Sequence, residues 1–154
     1  MSTLAGDKKR RNPGYSDGDA SSAEFNSPRD IAFGPEQGSW MVIADFENHV
    51  IRKIDLDQLG QHKVSTLAGV RHGQSGHTFR DGDAMSALFH FPSGVSVAPA
   101  QGTAAGGSAK VAVADSLNNA IRLITMSPSS VDVSTLVGSR CEPGNVAFVL
   151  WSAC

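Results

Sequence analysis

Three motifs between Lys63 and Ile124 decide the fold: KVSTLAG at residues 63–69, DGDAMSALFHFP at 81–92 and ADSLNNAIRLI at 114–124. Earlier copies of them read STLAG at 2–6, DGDASSAEFNSP at 17–28 and ADFENHVIRKI at 44–54. A third copy of the first motif, STLVG, begins at Ser134. Self-similarity at a fixed period indicates a repeat architecture, in which each repeat forms one structural unit.

The spacing of the copies reveals an insertion in the second one. Asp17 and Asp81 are 64 residues apart, whereas Arg52 and Arg122 are 70 apart. The six additional residues fall in the stretch QGTAAGGS at 101–108. Small, flexible, low-complexity stretches of this kind are tolerated in surface loops, so we expect such a loop there.

The number of repeats is low for a repeat protein. The 154 residues contain about two and a half copies, fewer than the roughly three that usually bury a continuous core. The count predicts that the chain is a fragment of a larger array, or that copies of the chain assemble.

Composition weighs against several classes of partner. With 13 basic and 15 acidic side chains, the net charge of −2 provides no global field for nucleic acid or for an anionic membrane. We interpret the basic run Lys8–Arg11 as a solvated loop, with nuclear localisation or phosphate binding as the alternative.

Cys141 and Cys154 form neither a disulfide framework nor a metal-ligand pattern. The chain has no recognisable signal peptide or spanning segment, so the cytoplasm is only the default expectation.

Each full copy contains four short segments that are rich in β-branched residues and separated by Gly, Pro, Asn and Asp. Such segments are typical of small antiparallel sheets. The predicted strands, named a to d in each copy, are 30–33, 40–44, 50–56 and 64–68, then 94–98, 110–114, 120–125 and 131–136. A helix over Val50–Leu59 is disfavoured, because the equivalent segment of the second copy soon meets Pro128.

Four consecutive strands with short connections predict an up-and-down antiparallel meander. Counting hairpins places the b–c turns, at 46–49 and 116–119, on the same side of the sheet as the long connections between copies. The a–b loops lie on the opposite side. The chemically richer turns and the long connections therefore share one face, the loop-rich face.

Strand c carries one arginine per copy among apolar residues. Alternation places Arg52 on the same face as Ile54, and Arg122 has the same setting in the second copy. A guanidinium on a covered face needs partners. We therefore predict that Asp45 and Asp115, or carbonyls of a neighbouring repeat, accept hydrogen bonds from these arginines.

The combined pattern closely resembles NHL repeats: STLAG, then DG with a following alanine and phenylalanine, then proline and a short strand, then ADFENHVIRKI or ADSLNNAIRLI. The resemblance covers residues 1 to about 138, and the recurrence of several fixed offsets makes it specific. It implies an all-β fold, a partial β-propeller of two four-stranded antiparallel blades plus extra edge strands. Strand a would be innermost, and complete rings commonly have six blades. The meander predicted from the strands fits this architecture.

The resemblance divides the chain into five parts. Residues 1–27 hold a lone strand d at Ser2–Gly6 and the loop that follows, 28–69 and 92–138 are the two blades, and 70–91 is the loop between them. Residues 139–154 form a divergent tail. Within it, the apolar stretch Asn145–Trp151 is either one further strand or an artefact of a truncated reading frame.

Polar residues of the b–c turns are the candidate binding residues on the loop-rich face: Asp45, Asn48, His49, Asp115, Asn118 and Asn119. The alternative is that they cap the turns, because a motif present in every copy is usually what builds the copy. We assign structural roles to six further residues, namely the strand-c arginines, two phenylalanines at the seam between blades and two turn glycines: Arg52, Arg122, Phe25, Phe89, Gly18 and Gly82.

We predict no catalytic, metal or cofactor site. The DGD motifs at 17–19 and 81–83 lack the further carboxylates of a calcium loop and are interpreted as turns. The histidines do not have metal-ligand spacing: His62, His72, His77 and His90. We find neither an activated nucleophile nor a phosphate-binding glycine-rich loop.

The sequence favours a non-catalytic module that binds a protein or peptide through the loop-rich face or through exposed blade edges. Self-association that completes a propeller is one form of such binding. The family resemblance leaves two alternatives open: part of a propeller enzyme, a lyase or lactone hydrolase whose site forms in the complete ring, and an RNA-binding propeller. The apolar residues of strand a weigh against the first, and the net charge of −2 weighs against the second.

Overall fold

The computed structural model describes residues 3–6, 13–35, 38–71, 79–98 and 108–138. These ranges contain ten β-strands: β1 (Gly18–Asp19), β2 (Pro28–Phe33), β3 (Trp40–Asp45), β4 (Val50–Asp55), β5 (Lys63–Ala68), β6 (Gly82–Asp83), β7 (Pro92–Val97), β8 (Ala109–Asp115), β9 (Ala120–Met126) and β10 (Val131–Val137). Short 3-10 helices at Phe46–Asn48 and Ser116–Asn118 follow β3 and β8. Within the same ranges, no helix has the length and apolarity needed to cross a membrane.

The strands form two antiparallel sheets. The order in the first sheet is β1-β5-β4-β3-β2, and the order in the second is β6-β10-β9-β8-β7. Each of the eight segments predicted in the two full copies forms a strand whose ends differ from the prediction by no more than two residues. The predicted all-β fold of two antiparallel meanders is therefore confirmed.

Each sheet has a fifth strand that sequence reasoning did not place. β1 pairs with β5, where Gly18 lies opposite Val64, and β6 pairs with β10, where Gly82 lies opposite Val133. Both short strands belong to the connection that precedes their sheet in the chain. The connection therefore runs along strand d at the outer edge before the innermost strand begins.

The strand predicted at Ser2–Gly6 is not formed by residues 3–6, which make bends. Ser2 lies outside the described residues. A strand requires a neighbour for its backbone groups, and the equivalent segment in β10 has β9 beside it. Residues 3–6 instead contact the connection that precedes the first sheet, where the Gly6 N–H donates to the Ala20 carbonyl at 2.8 Å.

The b–c turns and the long connections lie on the same side, as the hairpin count predicted. Each turn ends at a residue in the left-handed region, His49 at φ 60° and Asn119 at φ 50°. The N–H of Glu47 donates to the Asn26 carbonyl, and in the second sheet the N–H of Leu117 donates to the His90 carbonyl, both at 3.1 Å. Each connection is therefore held against the turn of its own sheet.

The two sheets pack face to face with the connection between them. The first sheet contributes buried apolar residues from three strands and the second from four: Trp40, Val42, Ala44, Ile51, Leu67 and Ala68, then Val95, Val111, Val113, Ile124 and Val133. Ala84, Ala87 and Phe89 of the connection belong to the same cluster, and Phe89 is fully buried.

Several stretches singled out in the sequence lie outside the described residues: Lys8–Arg11, His72, His77, residues 101–107 of the insertion, Cys141, Asn145–Trp151 and Cys154.

Candidate interaction surface

The Arg52 guanidinium is fully buried and all five of its N–H groups are directed at acceptors. Nη1 donates to Asp45 Oδ2 at 2.8 Å and to the Glu24 carbonyl at 3.0 Å. Nε and Nη2 donate to Asp17 Oδ1 at 3.1 and 2.5 Å, and Nη2 also donates to the Ser16 carbonyl at 2.8 Å. The predicted pairing with Asp45 is present, and the predicted carbonyl acceptors are on the preceding connection.

Arg122 repeats this arrangement in the second sheet. Its acceptors are Asp115 at 2.8 Å, Asp81 at 2.6 and 3.0 Å, and the carbonyls of Leu88 and Arg80 at 3.0 and 2.7 Å. Each arginine therefore joins strand c to two carboxylates and to both ends of the loop that precedes its sheet. We call these two networks the arginine clamps.

Aromatic rings lie against the guanidinium in both clamps. Arg52 Cζ is 4.9 Å from the ring centroids of both Tyr15 and Phe25. Arg122 Cζ is 4.3 Å from the ring of Phe79 and 5.1 Å from that of Phe89. Such contacts add cation–π attraction to the ion pairs.

Sequence reasoning missed two components of the clamps. It interpreted Asp17 and Asp81 only as turn residues, and it did not single out Tyr15 and Phe79 at all. The signal that could have found them was the repeat itself, because both pairs are separated by the same 64 residues as the other connection residues.

Five of the six candidate turn residues are engaged inside the protein. Asp45 accepts from the Asn26 N–H at 2.8 Å and from Asn48 Nδ2 at 2.9 Å, and Asp115 accepts from the His90 N–H at 2.7 Å and from Asn118 Nδ2 at 2.8 Å. His49 is buried between the sheets, where its Nδ1 accepts from the Phe91 N–H at 3.1 Å. These contacts support the structural interpretation of the turn motif. Their role in ligand binding stays a prediction.

The sixth residue, Asn119, occupies the position of His49 in the second sheet and is exposed. The difference in burial has a direct cause, since the second sheet packs over the first and no described element packs over the outer side of the second.

Burial raises the pKa of the Asp45 and Asp115 carboxyls, and the hydrogen bonds from the asparagines, backbone N–H groups and arginines oppose this rise.

The clamp of the second sheet presents Phe89 to the first sheet. There the ring lies over Gly69, where a Cβ in place of the glycine hydrogen would be 3.1 Å from Phe89 Cδ2, and it shares a buried cluster with Ala44, Ile51 and Ala68. We call this set of residues, Ala44, Ile51, Ala68 and Gly69, the first socket. It receives an aromatic ring from the neighbouring repeat.

The second sheet repeats the socket without an aromatic occupant among the described residues. A depression that is open to solvent, with a volume of about 220 Å³, is lined there by Ala114, Ala120, Ile121, Val137 and Gly138, together with Asp115, Ser116 and Asn119. A cavity of about 150 Å³ is sufficient for benzene, so the space can hold a phenylalanine ring. We call this set the second socket.

The exposure of equivalent residues marks the second socket as an open surface. Ile51 is fully buried, whereas Ile121 is 39% exposed. Ala68 is fully buried, whereas Val137 is 64% exposed. Leu136 of β10 and Leu117 of the 3-10 helix that follows β8 are exposed as well. Exposed apolar side chains that line a depression, as Ile121 and Val137 do, are characteristic of an interaction site.

Strand a carries one carboxylate in addition to its apolar residues. β2 begins at Pro28 and includes Asp30, whose Oδ2 accepts from the Val95 N–H of the second sheet at 2.8 Å. This carboxylate therefore links the innermost strands of the two sheets. Among the described residues, no group of three His, Cys, Asp or Glu side chains is placed to hold a metal ion.

Comparisons with known proteins agree with the architecture. No protein-family model matches the chain. Over 59 residues it is 48% identical to NHL repeat-containing protein 2 of Homo sapiens and 44% identical to the Gallus gallus protein of that name. The match spans 38% of this chain but only 7% of the length of each relative.

A solved structure shows the same fold at low sequence identity. The auxiliary nutrient binding protein from Bacteroides ovatus ATCC 8483 superimposes with a TM-score of 0.51 and 21% identity, over 80% of this chain and 26% of that protein. The likeness concerns the fold alone and agrees with the predicted propeller architecture.

Proposed function

We propose that this chain, which belongs to the NHL-repeat family and forms two neighbouring β-propeller blades, acts as a non-catalytic protein-interaction module. The observation that carries the proposal is the second socket. It is a second copy of a site that, on the first sheet, already binds an aromatic side chain of a protein loop.

The chemistry of the second socket favours a protein over other ligands. Its walls are alanine, isoleucine, valine and glycine, and the polar groups at its rim are those of Asp115, Ser116 and Asn119. Asp115 is committed to Arg122 through a fully buried ion pair. Such a site binds a hydrophobic anchor and offers little to a phosphate backbone, which is recognised by exposed lysine and arginine.

The first socket indicates what kind of segment the partner presents. Its occupant is the loop between Arg80 and Leu88, whose ends exchange two backbone hydrogen bonds at 3.1 and 3.4 Å. Ala87 and Phe89 lie at the end of this loop and enter the core. The partner is therefore a protein with an ordered loop that carries an exposed aromatic residue next to small residues.

A peptide probe tests this proposal. Residues 79–90 would be synthesised and closed end to end, because the Arg80–Leu88 bridge shows that the ends lie together and ring closure reduces the entropy lost on binding. The isotope-labelled full chain would be titrated with the peptide while methyl resonances of Ile121 and Val137 are followed. We expect saturable shifts with a Kd of roughly 10⁻⁴ to 10⁻³ M.

Two controls make the result specific. The same peptide with Phe89→Ala should shift neither methyl resonance, and the full chain with Ile121→Asp should lose the saturable shift at Val137. The proposal is wrong if the phenylalanine peptide leaves both methyl groups unaffected at millimolar concentration, or if the alanine peptide binds equally well.

A further inference from the structure

The described residues contain one complete joint between repeats and two half joints. In the complete joint, Gly69 at the end of β5 donates its N–H to the Ala84 carbonyl at 2.8 Å, and Phe89 fills the first socket. One half joint is the second socket with Gly138. The other is the connection that precedes the first sheet, with Ala20, Ala23 and Phe25.

The amino-terminal half joint carries the same type of aromatic anchor. Phe25 is the repeat equivalent of Phe89 and lies against its own arginine clamp in the same way, with ring-to-guanidinium distances of 4.9 and 5.1 Å. Phe89 is fully buried, whereas Phe25 is only partly buried. The anchor is thus already positioned, and part of its surface is still open.

We propose that the partner of the second socket is a second copy of this chain, docked head to tail so that Phe25 of the arriving copy enters the second socket of the other. This inference rests on the proposed interaction function and names its partner. The internal joint supports it, because the two half joints correspond to the two sides of that joint, one on each of the two described sheets.

Polar groups at the new contact are complementary. In the internal joint the Phe91 N–H donates to His49 Nδ1 at 3.1 Å. At the half joints, Ser27 is the equivalent of Phe91 and has a similar φ, 52° against 54°, so its N–H is the donor. Asn119 is the equivalent of His49, and its side-chain amide oxygen is the acceptor. The same hydrogen bond can therefore form between copies.

One link of the internal joint is missing between copies, and it limits the affinity. Asp30 binds the Val95 N–H within the chain, but its repeat equivalent in the second sheet is Gly94, which has no carboxylate. Contact between copies therefore lacks one charge-assisted hydrogen bond. We expect reversible association with a Kd in the micromolar range or weaker.

Residues 3–6 compete with the arriving copy. Gly6 donates to the Ala20 carbonyl at 2.8 Å, with a φ of 108°, just as Gly69 with a φ of 102° donates to the Ala84 carbonyl at 2.8 Å. Gly138 of the other copy, with a φ of 106°, requires that same carbonyl. Docking therefore displaces residues 3–6 from Ala20, and this segment acts as an internal competitor.

Sedimentation velocity of the full chain over a concentration series tests the proposal. We expect the weight-average mass to rise above that of the monomer with increasing concentration. Ile121→Asp and, separately, Val137→Asp should weaken association at least about tenfold, because a charge is placed in an apolar contact. The matched control is Leu59→Asp, since Leu59 is 84% exposed in a turn away from the socket and its change should have no effect.

Competition by residues 3–6 is tested by variants that should strengthen association between copies. Deletion of residues 2–6, or Gly6→Pro, which removes the donor N–H, should strengthen association about fivefold, the value of one backbone hydrogen bond. Circular dichroism at low concentration verifies that each variant is folded.

The possible results separate the two proposals. The head-to-tail inference is wrong if the wild-type chain stays monomeric at all concentrations. It is also wrong if Ile121→Asp and Val137→Asp leave the association constant unchanged. If the cyclic peptide still binds in that case, the interaction surface stands and only the identity of its partner is wrong. Association that is unchanged after deletion of residues 2–6 overturns the competition between copies.

Discussion

Gly69 and Phe89 are in such close contact that a Cβ on the glycine would lie 3.1 Å from Cδ2 of the ring, and 3.0 Å from the His49 carbonyl oxygen. Gly69 also has a φ of 102°, which side-chain-bearing residues rarely adopt. Gly69→Ala should therefore lower the free energy of unfolding by about 2–4 kcal/mol, through backbone strain and overpacking together. Urea denaturation followed by circular dichroism measures the change.

Gly18 separates these two causes. Its φ of 120° is as unfavourable for alanine, yet no atom of the described residues lies within 4 Å of a Cβ placed on it. Gly18→Ala should cost about 1–2 kcal/mol, from the backbone alone. Equal effects of the two substitutions would show that contact with Phe89 is not what requires a glycine at position 69.

Phe89 and Phe25 should differ in their contribution to stability although they are repeat equivalents. Phe89 is fully buried between two sheets, so Phe89→Ala should lower the free energy of unfolding by about 3–5 kcal/mol. Phe25 packs on one sheet only and is partly exposed. We expect roughly half of that loss for Phe25→Ala, measured by urea denaturation at a concentration where the chain is monomeric. Equal losses would contradict the assignment of Phe89 to the joint.

The arginine clamp should contribute far more to the free energy of unfolding than a neighbouring surface ion pair. Arg52→Met leaves the buried carboxylate of Asp45 without its cation, and we expect a loss of about 3–5 kcal/mol. Lys53→Met at the adjacent position removes only the partly exposed pair with Asp55, and should change stability by less than about 1 kcal/mol. Thermal and urea denaturation of both variants test this, and a small effect of Arg52→Met would show that the clamp is not needed to hold the connection.

The same substitution should destabilise the monomer strongly in the first socket and only slightly in the second. Ile51→Asp places a charge in a fully buried site and should unfold the chain or destabilise it by more than about 4 kcal/mol. Ile121→Asp changes an exposed residue of the second sheet and should alter the monomer's stability by about 1 kcal/mol or less. A large loss in the monomer for Ile121→Asp would mean that another part of the chain covers the second socket.

Sequence reasoning identified the strands and one half of the clamp because both depend on local pattern. β-branched runs between turn residues located the eight long strands, and the alternation in strand c indicated that Arg52 is covered and paired with Asp45, seven residues away. It did not identify Asp17 as the second carboxylate or Tyr15 as the ring beside the guanidinium. Those contacts join a loop to a strand 35 or more residues later, and no spacing rule for such a contact exists within one repeat.

The repeated sequence by itself determined two equivalent blades, their meander order and an aromatic residue in front of each. Only the tertiary structure decided that Ile51 is buried while Ile121 is exposed, and that Phe89 fills a socket while its counterpart on the second sheet is open. The reason is physical: a strand's hydrogen bonds and alternation are set within its own sheet, whereas the burial of a sheet face depends on which neighbour packs against it. Equivalent residues therefore acquire different environments, and the second socket becomes visible only when both sheets are placed together.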